Sequence, residues 1–166
     1  MRRLLPISAA LALALFLCML WYGWAVLVPA AGGQWPFEAR VFGYAPEVAR
    51  GYLEALDSRG RAVSLVEMHW LHSAFGPMLG LALGLAIVAA SRGAHFALRL
   101  VLLLPVVLYL ALHLAEGITV QEMLLRGAAQ FNTRLAEWAS LFTRAKFGAL
   151  LAIVLILLGL RRHRRG

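Results

Sequence analysis

Four long stretches of the chain carry almost no charge, and the polar residues gather between them. These stretches cover about residues 4–28, 68–90, 97–119 and 147–160. At about 1.5 Å of helix rise per residue, the first three are long enough to cross the ~30 Å apolar core of a bilayer. The fourth is shorter, about 21 Å as a helix. To span, it must carry Lys146 into the apolar layer, where the ammonium snorkels outward or meets an opposite charge inside the bundle. Trp21, Tyr22 and Trp24 near the end of the first stretch read as an interfacial aromatic belt. A basic start followed by an apolar run also describes a secretory signal. That signal's apolar region is only about 7–15 residues, however, and Val28-Pro29-Ala30 is a poor cleavage site, so a retained anchor is expected.

The segments between the spans, 31–66 and 120–146, are expected to form the outer loops. Gly32-Gly33 and Pro36 interrupt any helix. Pro46 then stands at a plausible first helical position, with Val48, Tyr52 and Leu56 at i, i+4 and i+8, which predicts a short amphipathic helix lying on the membrane or capping the bundle. Asp57-Ser58-Arg59-Gly60 is expected to end it. Gly76, Gly80 and Gly84 recur every fourth residue in the second span, a face that admits close approach of another backbone, within the chain or in a dimer. Pro77 is a candidate kink. Thr119-x-x-Glu122 resembles a capping box, and residues 121–138 are expected to be largely helical. The fold class expected is all-α, a four-transmembrane-helix bundle in one domain, 1–166, with a short amphipathic helix in the first outer loop.

Composition reinforces this picture. The chain is 62% hydrophobic with mean hydropathy +0.78, against roughly 45–50% apolar in soluble domains. Its single cysteine, Cys18, excludes an intrachain disulfide, a CxxC redox pair and a zinc ribbon. The net charge of +8 does not mark a nucleic-acid binder, because the basic residues cluster at span ends. One side would carry Arg2, Arg3, Arg92, Arg99 and the 161–165 tail. The other carries as many Lys and Arg together with all the acidic residues, mostly in the two longer loops. That distribution favours both termini inside and both loops outside, in a bacterial inner membrane, with the basic tail against anionic lipid.

The candidate chemistry is a polar layer. Helix rise places His113 roughly 20 Å, Lys146 roughly 21 Å, Glu116 roughly 24 Å and His72 roughly 27 Å from the inner boundary. Polar groups on three spans therefore share one depth, with His69, Glu67 and Arg144 just above. His69 and His72 lie on one helix side, as do His113 and Glu116, and Thr143 and Lys146. Ionisable groups at such depth normally face the bundle interior or a wet cavity. His72, His113 and Glu116 are chemically able to hold a divalent transition metal, with His69 or Glu67 in support. His72 and His113 are also a candidate bis-histidine haem pair. The plainest reading is a Glu116–Lys146 ion pair that stabilises the bundle. No serine sits in a nucleophile elbow and no Gly-rich phosphate loop appears.

The order Gly43-Tyr44-Ala45-Pro46-Glu47, Tyr52-Leu53-Glu54-Ala55-Leu56, Gly60-Arg61-Ala62, then Glu116 and Ala139-Ser-Leu-Phe-Thr-Arg-Ala-Lys146, resembles a group of small uncharacterised bacterial four-span membrane proteins. The likeness covers about residues 43–160. It implies the four-span architecture, with Glu116 and Lys146 matched and aspartate standing where this chain has His72 and His113. A layer of the same depth but altered chemistry follows, which weakens the haem alternative; the group supplies no activity. The functional expectation is a non-enzymatic accessory, sensing or small-ligand/lipid-binding bundle. The alternatives are a metal-binding protein or metalloenzyme using His72, His113 and Glu116, and a haem-binding electron carrier. The partners expected are the lipid bilayer and a membrane protein or second copy, with no nucleic acid.

Overall fold

The structure is a computed structural model that describes residues 3–163. Arg2 at the basic start, and Arg164 and Arg165 in the basic tail, lie outside the described residues. Helix α1 spans Leu4–Ala30, α2 Pro46–Ala55, α3 Ser58–Ala90, α4 Phe96–Arg126 and α5 Thr133–His163. No strand occurs among the described residues. All but α2 are long and apolar enough to cross a membrane, the architecture of a multi-pass membrane protein.

Two of the long helices contain a widened turn that the sequence reading did not anticipate. In α1 the turn covers Gly23–Leu27. Pro29 follows it; its ring would collide with the Ala25 carbonyl in a regular α-helix, and a wider turn relieves that contact. In α3 the turn covers Ser64–Met68, just before the histidines. Pro77 and Pro105 lie within α3 and α4 without ending either helix.

Three expectations about the outer loops are corrected or refined by the structure. Asp57 does not end α2; it begins α3. Its carboxylate accepts a hydrogen bond from the Gly60 N–H at 2.6 Å, and its own N–H donates to the Ala30 carbonyl at 2.9 Å. The sequence stop and start signals coincide here, because a residue that cannot continue one helix is the preferred cap of the next. Second, residues 121–138 are largely helical as expected, but in two helices rather than one. Gly127, at φ +65°, closes α4, and the Asn132 side chain accepts from the Arg134 and Leu135 N–H groups to open α5. Third, Thr119 does not cap a helix. It sits inside α4 and returns its hydroxyl to the Ala115 carbonyl at 2.6 Å.

Helix α2 caps the outer end of the bundle. Its Pro46 stands in the first turn as expected. The buried face is Ala49, Tyr52, Leu53 and Leu56, whereas Val48, expected on that face, points outward. These residues join Phe37, Val120, Met123, Leu124, Ala136 and Ala139 in an apolar cluster. Each fully buried large side chain there contributes about 1.5–3 kcal/mol. Just before α2, Gly43 at φ +79° lets the chain lie against α5, and the Tyr44 N–H donates to the Ser140 hydroxyl at 2.9 Å. All five tryptophans are exposed near this end of the bundle, where amphipathic rings suit a membrane interface.

The spans pack in chain order: α1 along α3, α3 along α4, α4 along α5. Helix α1 has no comparable seam with α5. The glycine face of α3 is used within the chain: a Cβ on Gly80 would strike Leu110, and Gly84 lies opposite Leu103 and Val106. At the other end Ile87, Val106, Tyr109, Ala149 and Ile153 form a second apolar cluster. There the Arg99 side chain donates to the Ser91 carbonyl at 3.0 Å and to the Arg92 carbonyl, tying down the α3–α4 turn.

Candidate functional site

Between the two apolar clusters lies a layer of buried polar side chains: His72 on α3, His113 and Glu116 on α4, and Thr143 and Lys146 on α5. Glycine makes room for the two histidines. A Cβ on Gly76 would collide with the His113 ring, and a Cβ on Gly117 would meet the His72 ring at 3.2 Å. Each helix thus presents a histidine and, one turn later, a glycine. Because the helices run antiparallel, each ring fills the other's notch. The imidazoles stack with centroids 3.8 Å apart and planes 14° from parallel.

Glu116 is the centre of the layer, with 2% of its surface exposed. The Lys146 ammonium pairs with its Oε2, and His72 Nε2 lies 3.5 Å from the same oxygen. Thr143 donates to Oε1 at 2.5 Å, and its oxygen is also 3.0 Å from the Ala139 carbonyl. The carboxylate therefore has partners on both oxygens, which is how a charge is tolerated at this depth. His113 Nε2 donates to the His72 carbonyl at 2.9 Å. A carbonyl only accepts, so Nε2 carries the hydrogen, and Nδ1 of the neutral ring keeps its lone pair. That Nδ1 is buried without a partner, as is the Tyr109 hydroxyl.

Several spaces adjoin this layer, one of them about 320 Å³ and lined by His69, His72, Pro77, His113 and Ile118. A small void of about 20 Å³ lies toward the outer end among Glu38, Ser64, His69, His72, Glu116 and Gln121. It has room for about one water molecule and enough polar partners to hold it. A cavity of about 560 Å³ opens on the other side, walled by apolar residues of α1 and α3. Glu38, His72, Tyr109, His113 and Lys146 line its polar end, and Phe75 and Phe147 flank them. The cavity sits where α1 and α5 do not close on each other.

The structure brings together His72, His113, Glu116 and Lys146. His69 stands one turn farther out, half-buried beside the void. Glu67 and Arg144 are exposed, and Arg144 lies against Gly43. The ligand atoms of His72, His113 and Glu116 all fall within 4.8 Å of one another. As arranged, they fit an ion pair better than a metal centre. The Lys146 ammonium already holds the carboxylate, and parallel stacked rings do not aim two nitrogens at one point in both ring planes. A bis-histidine haem fits worse, since the porphyrin would have to lie between imidazoles that touch face to face. Tyr109, Glu38 and Gly117 were not singled out from the sequence. The repeated His-x-x-x-Gly, His72 to Gly76 and His113 to Gly117, was the signal that would have found the stacked pair.

Comparison with protein families, curated proteins and solved structures finds no match to this chain.

Proposed function

We propose that the protein is a small multi-pass protein of a bacterial inner membrane that binds a small apolar or lipidic ligand. The observation that carries the reading is the 560 Å³ cavity, apolar along its length and ending on buried polar groups. Ligand sites are typically 300–1,000 Å³, mainly apolar, with a few polar groups that fix orientation. The cavity opens where α1 and α5 do not close on each other, so a lipidic occupant can enter it sideways from the bilayer. The reading is non-enzymatic: binding in an accessory or sensing role. Its orientation, both termini inside, rests on basic residues close to the span ends at 92–99 and 161–165, with the acidic residues in the outer loops. A membrane protein or second copy as partner is part of the same proposal.

The test is native mass spectrometry of detergent-purified protein, beside an Ala86→Phe variant that fills the cavity from α3. Wild type is expected to retain an apolar ligand, or to take one up when it is added, and the variant to do neither. Equal behaviour of the two would sink the reading. An alkaline phosphatase fusion after Leu56 is expected to be active; an inactive one would reverse the orientation.

Metal binding by His72, His113 and Glu116 is the second reading, favoured by the proximity of their ligand atoms. It requires Lys146 to leave the carboxylate. Stoichiometric metal in purified wild type, lost on His72→Ala, would establish it over the first.

A further inference from the structure

The polar end of the large cavity carries an unbalanced charge. Lys146 and Glu116 neutralise each other there. Glu38, in the short turn Phe37–Ala39, lines the same end and, with His72, lines the small void as well. Phe37, 3% exposed in the apolar cluster under α2, holds that turn in place. Glu38 is half-buried, and among the described residues no ion pair engages it. Arg40, the basic residue nearest along the chain, donates its Nε to the Trp35 carbonyl instead, at 3.1 Å. After burial itself, the charge of Glu38 is the next cause holding the Tyr52 phenol above the ordinary tyrosine range, which puts the carboxylate close to buried groups. A carboxylate beside an apolar cavity is tolerated while water reaches it. An occupant that displaces this water leaves the charge uncompensated unless it brings a positive charge of its own.

We propose that the cavity binds a single-chain amphiphile with an ammonium head, drawn from the surrounding lipid, and that Glu38 is the counter-charge of that head. The tail lies along the apolar wall of α1 and α3 and enters between α1 and α5. Phe75 and Phe147 flank the head's position, and aromatic rings attract a cation. One ammonium, that of Lys146, already stands 5.4 Å from the Phe147 ring centroid. The inference rests on the ligand-binding reading above. It predicts an order of affinity by head group: cation first, then uncharged, then anion, because an anionic head would add a second unpaired negative charge.

The experiment uses the full chain in phosphatidylcholine nanodiscs, with empty nanodiscs as background, and measures binding of dodecyltrimethylammonium, dodecanol and laurate. Wild type is expected to bind the cation about ten-fold more tightly than the alcohol, the scale of a partly buried ion pair. Glu38→Gln should bring the two to parity. It keeps the shape of a side chain that has no ion-pair partner, so the fold is retained, and unchanged dodecanol binding checks this. Glu47→Gln removes the same charge from an exposed position on α2 and should leave the ten-fold margin intact. Equal affinity for cation and alcohol in wild type overturns the head-group assignment while the cavity reading stands, as does laurate binding most tightly. A margin lost equally in Glu38→Gln and Glu47→Gln overturns the role of Glu38 and assigns the preference to general surface charge. Failure of every probe to exceed background, in wild type and Ala86→Phe alike, overturns the ligand-binding reading itself.

Discussion

Separating Glu116 from Lys146 has consequences whose order the structure dictates. Glu116 has contacts with Lys146, Thr143 and His72, whereas the Lys146 ammonium meets one carboxylate, that of Glu116, among the described residues. Glu116→Gln removes the negative charge paired with a buried ammonium. Breaking a buried pair from one side costs about 3–5 kcal/mol. Lys146→Met leaves a carboxylate that keeps Thr143 and the neighbouring His72. The loss is one charge-assisted bond, about 1.5–3 kcal/mol. In the double variant no charge is stranded, so the combined loss should fall short of the sum by about 2 kcal/mol. The assay is unfolding in mixed micelles with rising dodecyl sulfate, followed by tryptophan fluorescence, on wild type and the three variants. Additivity within about 0.5 kcal/mol would refute the reasoning, as would a Lys146→Met loss larger than that of Glu116→Gln.

Other outcomes follow from the same geometry. Gly76→Ala should destabilise by about 1–3 kcal/mol in that assay, since its Cβ enters the His113 ring, while Gly148→Ala, with open space around it, should be close to neutral. Lys146→Met should gain affinity for cobalt(II), seen by visible absorption, because the carboxylate beside His72 and His113 is released; a spectrum no different from wild type would count against that cluster as a latent metal site. Burial holds the Tyr44 and Tyr52 phenols above the ordinary tyrosine range, with the negative charges of Glu116 and Glu38 adding to it at Tyr44 and that of Glu38 at Tyr52. Their contribution to stability is complete below about pH 10 and is lost as pH rises past it, because the unfolded chain ionises first. At about pH 11 the native protein should show at least two phenolates fewer than the denatured chain.

The architecture was readable because lipid imposes a coarse pattern. A span must be apolar for its whole length, so the four helices announced themselves in residue type alone. The depth of the layer followed from helix rise, and the pairing of Glu116 with Lys146 followed from α5 being too short without Lys146. The outer ends were harder to read. Asp57 serves as boundary for two helices at once, and the polar string before Trp138 hides a break that depends on the left-handed backbone of Gly127. Val48 and Ala49 are both apolar, and only the docking of α2 against α4 and α5 decides which of them is covered. The stacked histidines depend on register between α3 and α4, which periodicity along either helix alone cannot give. Tyr109 reads as ordinary core in the sequence, and its buried, unpartnered oxygen shows only once the helices are packed.

The Glu116–Lys146 pair also bears on how the chain enters the membrane. Its two members sit on consecutive helices joined by the short turn 127–132. Presented alone to lipid, α5 is a poor candidate for insertion, with a lysine partway along it. Presented as a hairpin with α4, it brings a charge already cancelled. Biogenesis should therefore proceed with these two helices leaving the insertion machinery together, and a chain truncated before α5 should strand Glu116 and be a substrate for membrane quality control.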